Sequence, residues 1–433
     1  MATKKKEDEV KKTKVTKKEI KEEVKRVEEE KATPLAIAEF IAIIIAIIII
    51  EVFFQGSVIC NIVTLLLMLT VLITVHEWGH FIMSKKFGVH VYEFAIGMGP
   101  KILAFRRKND PTLYTIRALP IGGYNQLAGE TDEDDEKLAK DKFLCNKPKY
   151  QRLLILCAGV FMNFVTAIVF LFIIAFGWGY TEQNSYVGEI ESNSPAAEAG
   201  ILAGDKIIEY NGKKVSTWDE ITIIGALKKD VEYNTYKVQH EDGSEQEFKI
   251  TPADYVVYEN KYYRVTTDNT KEQIAEELNV SVDQLEDAKI IGISQSNKRY
   301  TGFVNALKYA FTKFWSLTKL LLLTLGYLFT GKLGLSALSG PVGMYKVVGE
   351  VAKFGIANVI YLTAYLSINL GVINILPFPA FDGGHVVFLA IEAITKKKVS
   401  PNVENIFHMI GFIIIFLLMI IVTGHDIWSL FTK

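Results

Sequence analysis

Two histidines and a glutamate, in the run His76-Glu77-Trp78-Gly79-His80, carry the clearest chemical signal in the sequence. On an α-helix, residues four apart share a face, so His76 and His80 can bind one metal ion. Glu77, one residue on, can reach a metal-bound water and act as general base. This is the zinc-hydrolase arrangement, in which the metal lowers the pKa of its water and polarises a carbonyl. The run closes an apolar stretch that begins at Val58, where two imidazoles and a carboxylate are costly unless paired or metal-bound. A third protein ligand is still required, and Asp382 is the best supplier. It lies in the segment NLGVINILPFPAFDGG (369–384), at the end of another apolar run, and a carboxylate suits zinc. The other reading of Asp382 is a water-facing residue where Gly383 and Gly384 terminate a helix. Pro377 and Pro379 break that helix just before Asp382, and backbone groups freed at membrane depth need new partners. A water-lined active site provides them. Asn369 and Asn374 carry both donors and acceptors, which suits gripping an unwound peptide; packing is their alternative role.

The elements that position these residues are read from the distribution of apolar residues. Half of the 433 residues are hydrophobic, and they clump at 35–50, 58–75 and 409–422 in runs too long for one globular core. A single soluble domain is excluded, and a formal net charge of -1 gives no reason to expect a nucleic-acid partner. Cys60, Cys145 and Cys157 lie too far apart for a disulfide framework or a cysteine zinc site. Residues 1–33 alternate Lys and Glu blocks and read as a charged tail, followed at 34–56 by a signal-anchor helix. Residues 57–178 hold the HEWGH helix, a basic loop with β-segments near 94–105 and 115–126, and a further span near 152–178. Residues 185–254 show strand-like alternation, 270–287 look helical with Thr270 as cap, and 255–300 form an insertion and return segment. Residues 301–340 contain an apolar stretch interrupted by Lys308, Lys313 and Lys319, and 341–433 carry spans near 357–378 and 407–423.

A basic tail favours a cytosolic N-terminus. Span one then exits and span two returns, so HEWGH lies near the cytosolic side and 185–300 falls outside. Asp382 must share the metal with His80, and that parity forbids a single crossing at 303–330, which fits an interfacial helix better. Five spans result, with the basic clusters on one face.

HEWGH followed by FIMSKKFGV, then GMGP, PIGGY, AGVFMNF, SPAAEAGILAGDKIIEYNG, LSGPVGM and NLGVINILPFPAFDGGH occur in an order that resembles the RseP-type bacterial branch of the site-2 protease family. The resemblance covers roughly 58–254 and 289–425. It implies a polytopic α-helical membrane protein of about five transmembrane helices with an inserted, β-rich, PDZ-like extracytoplasmic domain at 185–254. It implies His76, His80 and Asp382 as Zn2+ ligands, Glu77 as general base, and Asn374 with Asn369 at the substrate. Pro377, Pro379, Gly97, Gly99 and Asn163 are grouped with these as substrate-side residues, the Gly-rich β-segments offering a strand edge to an extended peptide; a plain cytosolic hairpin is their alternative. The implied activity is hydrolysis of peptide bonds within or beside transmembrane segments of single-span proteins already cut on the extracytoplasmic side. The implied location is the bacterial cell membrane. Three features depart from the pattern: the extra first span, Val160 where such proteins often have Pro, and an insertion at 255–288. The rivals are a catalytically silent membrane PDZ scaffold and a metal transporter. The transporter is disfavoured by the general base and by the lack of further intramembrane carboxylates marking a path.

Overall fold

The computed structural model describes residues 34–53, 56–130, 138–227, 232–259, 261–334 and 338–432; the charged tail of 1–33 lies outside the described residues. The chain divides into two compact units, Met1–Phe170 with Leu335–Lys433, and Leu171–Gly334.

The first unit begins with helix α1 (Pro34–Phe53), which a turn at Gly56 links to α2 (Val58–Lys86). Ser57 caps α2 by accepting the Cys60 amide at 3.1 Å, and Thr64 Oγ1 donates to Glu51 Oε1 at 3.0 Å, tying the two helices together. Strands β1 (Val91–Arg106) and β2 (Leu113–Leu127) pair antiparallel with repeated register shifts. Glu93 opposes both Gln126 and Leu113, so two bent strands build a sheet broader than a simple hairpin. The bend in β1 falls at Gly97 and Gly99, both at positive φ, where a side chain would be strained. Helix α3 (Lys149–Trp178) leads into the second unit.

There, β3 (Tyr180–Thr181) and β4 (Val187–Ile190) precede a short helix α4 (Pro195–Ala199) capped by Ser194. Strands β5 (Lys206–Tyr210), β6 (Lys213–Lys214), β7 (Asn234–Gln239) and β8 (Glu245–Ile250) form a sheet in the order β6-β5-β7-β8, with α5 (Trp218–Leu227) between β6 and β7 in sequence. Ile201, Ile207, Tyr236 and Val238 centre its core.

The insertion folds on its own terms. β9 (Ala253–Tyr258), β10 (Lys261–Arg264) and β11 (Glu286–Ile290) form a sheet in the order β10-β9-β11, and α6 (Lys271–Leu278) packs Ile274 and Ala275 against Val256 and Leu285. The helix expected over 270–287 starts on its Thr270 capping box but stops at Leu278, where Asn279 turns left-handed. A single 3-10 turn follows at Val282–Gln284, and pairing with β9 makes strand only from Glu286 onward. β12 (Ile293–Gln295) then pairs with β4, and β13 (Arg299–Tyr300) with β3.

Helix α7 (Phe303–Phe329) turns two of its lysines toward α5: Lys313 Nζ reaches Asp219 Oδ2 at 2.5 Å, and Lys319 Nζ reaches Glu220 Oε1 at 2.6 Å. Its other face exposes Phe303, Leu307, Phe311, Trp315, Leu322 and Phe329.

The chain re-enters the first unit with α8 (Pro341–Lys353), α9 (Ile356–Ile375), α10 (Asp382–Thr395) and α11 (Pro401–Phe431). Asp426 of α11 caps α8 from a distance, its Oδ2 accepting the amides of Gly340 at 2.9 Å and Gly343 at 2.8 Å. Among the described residues, four helical segments are long and apolar enough to cross a membrane: Val58–Lys86, Lys149–Trp178, Ile356–Ile375 and Asn402–Ser429. The apolar part of α1, Phe40–Glu51, is shorter than these.

Candidate active site

The site forms where α2 and α3 cross with their backbones in contact. A Cβ at Gly79 would sit 2.6 Å from the carbonyl carbon of Ala158, so only glycine permits this approach. His76 and His80, one turn apart on α2, then face α3. The Nδ1–H of His80 donates to the carbonyl of Ile155 at 2.8 Å, which leaves the Nε2 lone pair free. The two Nε2 atoms lie 3.1 Å apart, with the rings inclined at 78°. Gly159 closes this face: a Cβ there would lie 2.8 Å from His76 Nε2 and closer still to His80 Nε2.

Asp382 completes the arrangement. Its Oδ2 is 3.1 Å from His76 Nε2 and 3.4 Å from His80 Nε2, yet this buried oxygen makes no well-directed hydrogen bond. Three donor atoms at mutual separations of 3.1–3.4 Å match the edge of a tetrahedral shell, about 3.3 Å for bonds of about 2.0–2.1 Å. The nitrogen–nitrogen–oxygen set suits zinc. Asp382 is not a helix C-cap: α9 ends at Ile375, and Asp382 opens α10 with Gly383 and Gly384 inside that helix. A Cβ at Gly383 would lie 2.6 Å from the carbonyl carbon of Leu376, so the glycine lets the new helix start hard against the end of the old one.

The other expected residues are distributed as follows. Glu77 is half-buried, with the side chains of His80, His76 and Asp382 nearby. Asn163 lies on α3 against the ring of His76, its amide 3.1 Å from Nδ1, while its Oδ1 has no hydrogen-bond partner. With the amide turned so that Oδ1 accepts from Nδ1–H, both needs are met and His76 Nε2 is freed for the metal. Ser367 of α9 holds the backbone beneath, donating to the carbonyl of Asn163 at 2.8 Å. Asn374 is buried and Asn369 half-buried on α9; Pro377 and Pro379 occupy the link to α10; Gly97 and Gly99 sit in the bend of β1. His76, Glu77, His80, Asn163 and Asp382 are thus brought together. Sequence reading missed the closeness of Gly159 to the imidazoles, which no local pattern signals. It also passed over His408, although an ionisable residue in an apolar run is the same signal that drew attention to HEWGH.

Two imidazoles and a carboxylate placed so that they could hold one metal ion, with a glutamate beside them and apolar helices around them, fit a membrane-integral zinc hydrolase. Comparison with known proteins agrees. The model of Peptidase family M50 matches residues 64–418. The zinc metalloprotease RasP of Shouchella clausii is 33% identical over 441 aligned residues, covering 84% of this chain and 97% of that protein. The regulator of sigma-W protease RasP of Bacillus subtilis is 30% identical over 449, covering 86% and 99%. The chain belongs to Peptidase family M50. It is a site-2-type zinc metalloprotease of the RseP-type branch, an integral membrane protein, and its cofactor is zinc.

Proposed function

We propose that this chain hydrolyses peptide bonds within or beside the transmembrane segments of single-span membrane proteins previously cut on the extracytoplasmic side. The observation that carries this reading is the convergence of His76, His80 and Asp382 among apolar helices. These three residues would hold the zinc, which when bound supplies Lewis acidity toward water and the scissile carbonyl. Glu77 takes the proton of the attacking water and delivers it to the departing amide nitrogen. The contacts of His80 with Ile155 and of His76 with Asn163 keep both Nε2 lone pairs aimed at the metal. Asn374 and Asn369 hold the unwound substrate backbone, and Pro377 and Pro379 keep the segment before Asp382 out of helix so that it can line the cleft. The bend at Gly97 and Gly99 presents a strand edge to the extended substrate.

The membrane arrangement belongs to the same proposal. Helix α1 acts as a fifth span, the N-terminus is cytosolic, and the 185–254 domain is PDZ-like and extracytoplasmic, where it filters or binds what approaches. Helix α7 lies in the membrane interface on its exposed aromatic stripe, which is supported by the pairing of its lysines with carboxylates of its own unit. Anti-sigma factors and remnant signal peptides are the substrate classes, the first in keeping with the name of the Bacillus subtilis relative.

Single-turnover cleavage of a tagged single-span protein tests the mechanism. Glu77→Gln is expected to retain zinc and lose activity by about 10²- to 10⁴-fold, and normal cleavage by that variant would sink it. A zinc content near zero in the folded chain would favour the silent scaffold instead.

A further inference from the structure

The last helix supplies none of the donors described above, yet it grips the Asp382 segment on both sides. Ala380, two residues before Asp382, has φ +74, a left-handed backbone that strains any residue with a side chain. Its N–H donates to Nδ1 of His408 on α11 at 3.0 Å. One turn after Asp382, His385 lays its ring on that of His408, with centroids 3.9 Å apart and planes at 19°, and its Nδ1 meets Glu404 Oε1 at 2.8 Å. Glu404, His408 and Gly411 stand at i, i+4 and i+7, so one face of α11 makes all these contacts. A Cβ at Gly411 would lie 2.7 Å from the carbonyl carbon of Pro379, and one at Gly384 would lie 3.0 Å from Cε1 of His408.

His385, Glu404 and His408 have the composition of a second metal site, with donor atoms within 4.8 Å of one another. The ring geometry argues otherwise. Imidazoles sharing an ion direct their lone pairs at one point, as the inclined His76–His80 pair does, whereas stacked rings hold theirs in nearly parallel planes. Nδ1 of His408 already accepts the Ala380 amide, so the neutral ring carries its proton on Nε2, which is buried without a partner. Packing alone would favour an apolar ring over one that buries an unmatched N–H. The use of histidine here lies in the Nδ1 acceptor.

We propose that His408 is a positioning residue for Asp382. Its Nδ1 fixes the left-handed turn at Ala380, and its stacking on the His385–Glu404 pair fixes the first turn of α10, so that Asp382 Oδ2 meets both imidazoles. The proposal rests on the reading of Asp382 as a zinc ligand, and its test separates the two. In the detergent-solubilised full chain, zinc affinity is measured by chelator competition, and kcat and KM are measured at saturating zinc. His408→Phe keeps a ring but loses the acceptor; it is expected to weaken zinc binding and lower kcat by about 10- to 100-fold, leaving KM within about twofold. His408→Asn places an amide oxygen where Nδ1 stood and is expected to restore both to within about fivefold of the parent. Adding Ala380→Gly to His408→Phe relieves the strained turn and is expected to recover part of the zinc affinity. Wild-type affinity in His408→Phe, or equal damage in the Phe and Asn variants, overturns the positioning role. A second zinc equivalent that disappears in His408→Asn overturns it too, by assigning the cluster to a metal. Asp382→Asn is expected to lose zinc outright; if it binds zinc normally, the ligand reading itself has failed.

Discussion

The same substitution at two glycines of α3 is expected to have opposite consequences. At Gly159, a new Cβ would sit 2.7 Å from His76 Cε1 and 2.8 Å from His76 Nε2, with His80 Nε2 nearer still. Ordinary contact begins near 3.4 Å, so the imidazole of His76 must retreat by about 0.7 Å and that of His80 by more. Metal–ligand distances tolerate only about 0.2 Å, so the ligand set can no longer converge. Withdrawing α3 instead would open its contact with α2 at Gly79 and stretch the bond from His80 to Ile155. Gly159→Ala is therefore expected to weaken zinc binding by about 100-fold or more and to abolish cleavage at ordinary zinc concentrations. At Gly177 a Cβ would meet nothing within 4 Å. There, Gly→Ala is expected to leave zinc binding and activity alone and to raise stability by about 0.5–1 kcal/mol. The assay pairs chelator competition with thermal unfolding of each purified variant. Zinc affinity within twofold of the parent in Gly159→Ala would refute the argument from crowding, as would equal losses at both positions.

Other expectations are simpler to test. Asp426→Ala removes both hydrogen bonds to the start of α8 and is expected to cost about 1–2 kcal/mol, seen as a lower thermal midpoint with zinc affinity unchanged. Asp219→Asn strips buried Lys313 of its carboxylate and is expected to cost about 1–3 kcal/mol, read as faster limited proteolysis of the 171–334 unit. Chelation is expected to stop cleavage, and zinc alone to restore it.

What could be read in advance was what is local in the chain. The two histidines and Glu77 are placed by helical period alone, and Thr270 marks the start of α6 by its own capping chemistry. The end of α9 was legible as a break, because Pro377 drives Leu376 into extended backbone. That Asp382 begins a new helix was not legible. Paired glycines read as a stop, each costing about 1 kcal/mol in a helix interior, and only the crowding of Gly383 against Leu376 shows why they are tolerated. The same holds for Gly159, whose role depends entirely on side chains from another helix. Within the insertion, a left-handed Asn279 stops the helix after Leu278, a 3-10 turn follows at Val282–Gln284, and pairing with β9 takes over from Glu286.

The proposed metal ligands lie far apart along the chain, His80 and Asp382 being separated by about three hundred residues. During synthesis the two histidines enter the membrane long before the carboxylate exists, and the α11 residues that flank it come later still. A chain that stops short of Asp382 therefore holds an unfinished set of the proposed ligands. With the proposed ligands so separated, the metal set could form only once the chain has been made through Asp382.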